Sequence, residues 1–230
     1  MVVTHGTDTL EETALLLHRL LAPAKPVVLT AAMRPATSLQ ADGPANLYDA
    51  VTVARTPGAA GVLVCVAGRV FHPEGVRKHH TWRLDAFTAG DEGECAQVVD
   101  AVVRQRRQWP RALPLGLDLL PDEAAHWPRV EIVTSHAGAG GRLVELLCAD
   151  RVDGLVLAAT GNGTLSEPLE RSARQAQEAG VPVWVASRCA AGGVVGDLPG
   201  PFTSAGGLSP GQARVALTLE LLAARRDARP

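Results

Sequence analysis

Length, composition and charge limit the classes of protein to which this chain can belong. Its 230 residues, 47% of them apolar, are enough for one large domain or two modest domains with hydrophobic cores. A formal charge of −2 is too balanced to indicate a nucleic-acid partner or an anionic membrane partner. No apolar run reaches the length of a membrane-spanning helix.

The cysteines indicate a reducing compartment. Cys65, Cys95, Cys148 and Cys189 are far apart and form no C-x-x-C pair, so neither a zinc site nor a disulfide framework is predicted. Buried free thiols are the expected state, as in the cytoplasm. Because no signal peptide precedes the first predicted strand, we predict a cytoplasmic protein. We also predict that it uses no metal and no cofactor.

The first stretch of the chain predicts a strand that runs directly into a helix. Val2 and Val3 are β-branched, Thr9 is a good N-cap, and Glu12 stands at the capping-box spacing. The helical face is predicted from apolar residues at the right spacing: Leu10, Ala14, Leu17 and Leu21. Thr7 and Asp8 are therefore expected where a strand ends and a helix begins.

Two interpretations of this turn remain open from the residues alone. In open α/β sheets, ligands bind at the carboxyl ends of strands, and the free N–H groups of a helix start favour an anion. Thr7 and Asp8 could then orient an amino acid and a reacting group. A Thr-Asp-Thr run before Leu-Glu-Glu is, however, also an ordinary helix start.

The alternation continues through the first half of the chain. Strands are predicted at 26–30 and 61–67, a helix lies near 44–56, and Val70 and Phe71 begin a short extension. This alternation of strands and helices is typical of a parallel sheet with crossover helices. A helix with a basic end is predicted over 96–107, and four prolines between 110 and 128 indicate a linker.

The second half repeats the pattern. Strands are predicted at 129–134, 154–158 and 182–186, and helices at 140–150 and 167–179, the latter closed by Gly180. Ser209 caps a last helix with Pro210 at its first position. The predicted fold class is α/β with two mainly parallel-sheet domains, divided into 1–110, a linker at 111–127, and 128–230.

Several extended motifs together resemble one known family. The run His5-Gly6-Thr7-Asp8-Thr9-Leu10-Glu11-Glu12-Thr13-Ala14 is followed by similar runs at 32–35, 41–47, 161–163 and 209–215. In this order they resemble the bacterial-type L-asparaginase family, and the likeness covers nearly the whole chain. It implies a Rossmann- or flavodoxin-like N-terminal part and a smaller α/β C-terminal domain.

The resemblance also implies an activity and its residues. The reaction would be hydrolysis of L-asparagine to L-aspartate and ammonia, with Thr7, Asp8 and Lys78 as the catalytic cluster. Thr7 and Asp8 would also bind substrate, and Ala32 would present its backbone carbonyl to the departing amide nitrogen. On composition alone Lys78 is an ordinary solvated loop residue. A homo-oligomer is implied, with Gly161, Asn162 and Gly163 close to its interface.

The sequence also departs from the family pattern. The family's first strand with its Thr-Gly-Gly-Thr nucleophile run, its mobile tyrosine loop and its carboxylate-binding loop have no match here. The family's second-domain asparagine falls near Gly138. Its acidic residue has no match within 192–201, where Asp197 is the nearest acid.

Three interpretations follow from these departures. The first is an asparaginase without its N-terminal nucleophile segment, so that this chain alone hydrolyses asparagine poorly or not at all. The second is a divergent enzyme that uses Thr7 as the nucleophile. The third is a non-catalytic amino-acid-binding or interaction module on the same scaffold. The sequence does not distinguish asparagine from glutamine as the preferred substrate.

Overall fold

The computed structural model describes residues 1–198 and 200–228. The chain forms two compact units, Met1–Leu117 and a second that starts at Asp118. Both combine sheets with helices, as the α/β prediction requires, so the fold class is confirmed. The division at 110 and 128 stays a prediction. Among the helices of the described residues, none has the length and apolarity needed to cross a membrane.

The first unit is built on a six-stranded sheet of order β1-β2-β3-β4-β7-β8. The first three strands are parallel, and the sheet continues through antiparallel pairings from β3 onward. Its strands are β1 (Val2–Thr4), β2 (Val27–Thr30), β3 (Val62–Val66), β4 (Arg69–Phe71), β7 (Ala96–Val99) and β8 (Val102–Gln105). A separate hairpin pairs β5 (Arg77–Lys78) with β6 (Phe87–Thr88).

Two helices connect the parallel strands, α1 (Leu10–Leu20) after β1 and α2 (Gly43–Arg55) after β2. All five residues of β3 are buried, because apolar clusters cover the sheet on both faces. Leu10 and Ala14 of α1 pack with Val64 in one cluster, whereas Ala50 of α2 packs with Leu63 in the other. The alternation of side chains along β3 thus divides the core between the two helices.

The second unit has a fully parallel four-stranded sheet of order β12-β11-β10-β9. Its elements are β9 (Val130–Thr134), α3 (Arg142–Ala149), β10 (Gly154–Ala159), α4 (Glu167–Glu178), β11 (Val183–Ser187), β12 (Thr203–Ser204) and α5 (Pro210–Asp227). Ser209 caps α5 as predicted, and with Gln212 it forms a complete capping box.

The structure corrects three local predictions. The segment 96–107 is the β7–β8 hairpin and not a helix, since Asp100 and Ala101 turn the chain with φ of 50° and 60°. Thr9 precedes α1, but its hydroxyl forms no cap hydrogen bond, because its ψ of 16° is not the extended geometry of an N-cap side chain. Cys65 and Cys95 are buried, but Cys189 is exposed.

A buried amide joins the two loops that leave β2 and β3. Asn46 of α2 donates from Nδ2 to the Ala31 carbonyl (2.8 Å) and to Asp42 Oδ2 (3.1 Å). Its Oδ1 accepts from the Ala67 backbone N–H (2.9 Å). Asp42 in turn accepts from the backbone N–H groups of Met33 and Arg34, both at 2.9 Å. The loop around Ala32 is thereby fixed to the start of α2.

Replacement of this amide should destabilise the first unit. In Asn46→Ala the buried Ala31 carbonyl and the part-buried Ala67 N–H lose their partner, and a fully buried group left in this way costs about 1–3 kcal/mol. We expect the free energy of unfolding to fall by about 2–4 kcal/mol in urea denaturation. Thr52→Ala, which removes only a helix-surface hydroxyl bonded to Tyr48 O, should cost within about 0.5 kcal/mol. Equal losses in the two variants would contradict a central role for Asn46.

Candidate active site

Thr7 and Asp8 lie in the short turn between β1 and α1. β1 ends at Thr4, and the His5 N–H continues the parallel pairing by donating to the Thr30 carbonyl of β2 at 2.9 Å. Thr7 is half-buried and Asp8 is exposed. The turn therefore stands at the carboxyl edge of the parallel strands, the position at which open α/β sheets bind ligands.

The structure brings Lys78 to this turn across about seventy residues of sequence. Lys78 Nζ donates to Thr7 Oγ1 at 2.9 Å and to Asp8 Oδ1 at 2.7 Å. Only 20% of the Lys78 side chain is exposed, whereas 91% of the Asp8 side chain is. The three residues thus form one cluster in which the amine is sheltered and the carboxylate faces solvent.

A carboxylate on α1 fixes the strand that carries the lysine. Glu11 Oε2 accepts the backbone N–H of Lys78 at 2.6 Å. Glu11 stands one turn after Asp8 at the start of α1, so the same helix start contacts Lys78 at its backbone and at its amine. The sequence analysis missed this role, although Glu11 belongs to the motif from which the resemblance was drawn.

Charge pairing perturbs the titration of Asp8. The hydrogen bond from Lys78, and then the charge of its ammonium group, lower the pKa of the Asp8 carboxyl below its ordinary value of 3.8. A lowered pKa in the folded state means that the pair persists above 3.8 and is lost only as the pH falls through the lowered value. Asp8 is therefore ionised throughout the neutral range.

His5 supports the turn and is not part of the cluster. Its Nδ1 contacts the Gly6 carbonyl at 2.7 Å and its Nε2 contacts Thr13 Oγ1 at 3.0 Å. Since a carbonyl can only accept, Nδ1 donates to Gly6, and Nε2 shares a hydrogen bond with the Thr13 hydroxyl. Both ring nitrogens are thereby used in contacts within the turn and α1.

Ala32 is exposed in the loop after β2, next to the β1 exit. The register pairs Thr4 with Thr30, so the loops that carry Thr7 and Ala32 leave the sheet at the same edge. Asp42 and Asn46 fix the backbone around Ala32, as described above. This loop is therefore placed where a backbone carbonyl can reach a ligand at the strand ends.

In the second unit, Asn162 has a structural partner. Its Nδ2 donates to the Val195 carbonyl at 2.9 Å, and its Oδ1 accepts the Val195 N–H at 2.7 Å. Gly161 accepts a hydrogen bond from the Ser187 hydroxyl at 2.7 Å. The turn at 161–163 thus joins the exit of β10 to the loop that follows β11. Asp197 lies exposed in that same loop.

Comparison with known proteins identifies the family. A family model described as "Asparaginase, N-terminal" matches residues 1–111, and one described as "Glutaminase/Asparaginase C-terminal domain" matches residues 129–229. The chain belongs to the bacterial-type asparaginase family. The resemblance seen in the sequence motifs is thereby confirmed.

Individual relatives agree with this assignment. L-asparaginase 2 of Bacillus subtilis is 34% identical over 226 residues, which is 96% of this chain and 60% of the relative. L-asparaginase 2 of Escherichia coli is 34% identical over 227 residues, covering 96% of this chain and 65% of the relative. The chain thus spans 60–65% of the length of these two curated relatives.

A solved structure shares the fold of this asparaginase-family chain. The crystal structure of a probable cytoplasmic L-asparaginase from Campylobacter jejuni matches with a TM-score of 0.88 and 34% sequence identity. The match covers 96% of this chain and 72% of that protein.

The Glu11 contact leads to a testable prediction on the backbone of Lys78. Glu11→Ala should speed hydrogen exchange of the Lys78 amide by roughly ten- to a hundredfold, since a hydrogen bond to a charged group contributes about 1.5–3 kcal/mol. Exchange measured by NMR provides the test. Glu12→Ala, one residue further along α1, serves as the matched control and should leave this rate unchanged. A rate unaffected by Glu11→Ala would show that the contact does not order β5.

Proposed function

We propose that the chain carries part of an L-asparaginase-type amidohydrolase site, which hydrolyses L-asparagine to L-aspartate and ammonia. The observation that carries the proposal is the double donation of Lys78 Nζ to Thr7 Oγ1 and Asp8 Oδ1, at 2.9 and 2.7 Å. Membership of the asparaginase family supports the reaction class, since relatives of this chain bear the name L-asparaginase.

In this proposal Lys78 moves the proton at the Thr7 hydroxyl. As an ammonium group it donates to Thr7 Oγ1, and as a neutral amine it accepts the proton of that hydroxyl. A lysine sheltered from water is suited to this exchange, and the Lys78 side chain is only 20% exposed. Asp8 stabilises the ammonium form that results. A positioned proton-transfer group of this kind contributes roughly a hundred- to ten-thousandfold in rate.

The same turn supplies the groups that would bind the substrate. The exposed Asp8 carboxylate has two oxygens, so it can accept from the substrate α-ammonium while it pairs with Lys78. The backbone N–H of Thr7 would donate to the oxyanion that forms on the amide carbonyl. The Ala32 carbonyl, at the same edge of the sheet, would accept from the departing amide nitrogen.

We also propose that the protein assembles as a homo-oligomer, as the family resemblance implies. One face of α2 supports this proposal, because it exposes Leu47, Tyr48 and Val51 by 43%, 60% and 39%. Apolar side chains grouped on one exposed helix face are typical of a protein–protein contact.

A cytoplasmic location completes the proposal. All four cysteines are free thiols, which persist in a reducing compartment. The name of the Campylobacter jejuni neighbour also places that protein in the cytoplasm.

Substitution of Lys78 tests the proposed chemistry. Lys78→Met keeps the length of the side chain and removes the amine, so ammonia release from L-asparagine should fall about a hundred- to ten-thousandfold. Asp8→Asn should weaken the binding of L-aspartate, measured by calorimetry, because it removes the charge that would meet the α-ammonium. Lys25, the other lysine of the sequence, is exposed, and Lys25→Met is the matched control.

The two measurements separate the alternatives. Ammonia release that is abolished equally by Thr7→Ala and Lys78→Met supports the proposal. L-aspartate binding that needs Asp8, without ammonia release, is the result expected of a chain that carries only part of the site, and also of a binding module. Rates and affinities that none of these substitutions changes would refute the assignment of the cluster.

Light scattering on the purified protein tests the assembly. We expect a homo-oligomer whose mass falls toward one subunit in Tyr48→Glu and Val51→Glu, since burying an unpaired carboxylate in a contact is costly. Leu113→Glu, at an apolar residue 93% exposed outside α2, should leave the mass unchanged. A folded monomer in the unsubstituted protein would contradict the proposal.

A further inference from the structure

A second cluster of chemically active side chains lies near the other end of α1. His18 of α1, His72 after β4 and Glu74 in the next turn each offer a ligand atom, and these atoms lie within 4.8 Å of one another. The two imidazole rings meet edge to face with centroids 5.0 Å apart. No motif or spacing predicts this cluster, since His18 and His72 stand 54 positions apart in the sequence.

His18 is a buried polar residue, 3% exposed. The groups around its imidazole include the ligand atoms of His72 and Glu74, which lie within 4.8 Å of its own.

Both imidazoles are held in the neutral form. Burial, together with the neighbouring His72, lowers the pKa of His18 to about 4, and burial lowers the pKa of His72. Neutral imidazole is the form that ligates metal ions. The charges around the pair are balanced, because Glu74 and Glu92 face Arg19 and Arg107.

We propose that His18, His72 and Glu74 bind a divalent transition-metal ion of the Zn²⁺ class. Two histidines and a glutamate form a known three-residue zinc ligand set, which leaves one position for water. Metal–ligand bonds of about 2.0–2.2 Å require the three atoms to approach to roughly 3.5 Å. Glu74 can move to allow this, because its side chain is 39% exposed and lies in a turn.

Two existing contacts must change when the ion binds. The Glu74 backbone N–H donates to His72 Nδ1 at 3.2 Å, a long contact that is lost if that nitrogen binds metal or takes up a proton. Arg19 pairs with Glu74 Oε1 at 2.8 Å. The guanidinium therefore competes with the ion for the Glu74 carboxylate. Removal of the guanidinium should then not weaken metal binding, and this can be tested.

The bound ion would position the segments that it joins and would take no part in the proposed hydrolysis. It would tie the last turn of α1 to the segment 72–78, which already contacts the start of α1 through Glu11 and the Lys78 N–H. Seven residues separate Glu11 from His18, or about 10 Å along the helix. The open coordination position would lie near a cleft of about 450 Å³, lined by His72, Glu74, Glu92 and Cys95 among others.

Calorimetric titration of the chelator-treated 230-residue chain with ZnCl₂ tests the proposal. We expect one ion per chain, and a loss of affinity of at least about a hundredfold in His18→Gln and in Glu74→Gln, since even partners outside the ligand shell cost 10–100-fold. Arg19→Gln should bind as tightly as the unsubstituted chain or more tightly, because it frees the carboxylate. The Co²⁺ form should show visible d–d bands without a thiolate charge-transfer band.

Controls separate this site from adventitious binding. His79→Gln alters the other adjacent histidine pair, whose rings are 6.3 Å apart, and Cys189→Ser removes the exposed thiol. Both should retain full affinity. Circular dichroism checks folding. If His18→Gln does not fold, the loss of affinity expected in Glu74→Gln, against the undiminished affinity expected in Arg19→Gln, still decides the question.

Three results would overturn the proposal. They are no binding by the folded chain, binding that Glu74→Gln leaves unchanged, and a Co²⁺ thiolate band that disappears in Cys189→Ser. All readouts are of metal binding, so they stand apart from ammonia release and from the fate of the proposed hydrolase activity.

Discussion

The candidate site depends on one contact between a helix and a strand that are distant in sequence. Lys78 can reach Thr7 and Asp8 because Glu11 of α1 accepts its backbone N–H at 2.6 Å. A lysine side chain has four rotatable bonds and loses considerable entropy when its amine is fixed. Fixing the backbone first lowers the number of conformations that the side chain must give up. The start of α1 therefore orders both the donor and its two acceptors.

The rest of the first unit fixes the edge of the sheet at which this contact lies. Parallel pairing of β1 with β2 places the Thr7 turn and the Ala32 loop side by side. Asn46 satisfies both its donors and its acceptor on backbone and side-chain groups of the neighbouring loops. A fully satisfied buried polar network fixes one arrangement of the backbone, whereas an incomplete one destabilises it. The strand exits thus lie between α1 and α2, which pack on opposite faces of the sheet.

How far the sequence predicted this arrangement depended on the distance between partners. The β1 turn, α1, α2 and the elements of the second unit other than β12 were predicted from local periodicity and helix-start residues, because those signals lie within a few positions. Lys78 entered only through the family resemblance, since nothing in its own segment indicates a partner seventy residues away. The β7–β8 hairpin was missed because its turn uses Asp100 and Ala101 at positive φ instead of the usual glycine or asparagine. The role of Glu11 and the His18 cluster require tertiary contacts that no periodicity encodes.

The unequal exposure of Lys78 and Asp8 has a consequence for ionic strength. Dissolved ions screen exposed charges far more than sheltered ones, and here the carboxylate is 91% exposed while the amine is 20% exposed. Added salt therefore weakens the pairing with Asp8 from the solvent side. The bond from Lys78 to the neutral Thr7 hydroxyl has little charge to screen. Rising salt thus shifts the Lys78 amine away from the Asp8 carboxylate and toward the Thr7 hydroxyl. The two hydrogen bonds of the one amine therefore respond differently to added salt.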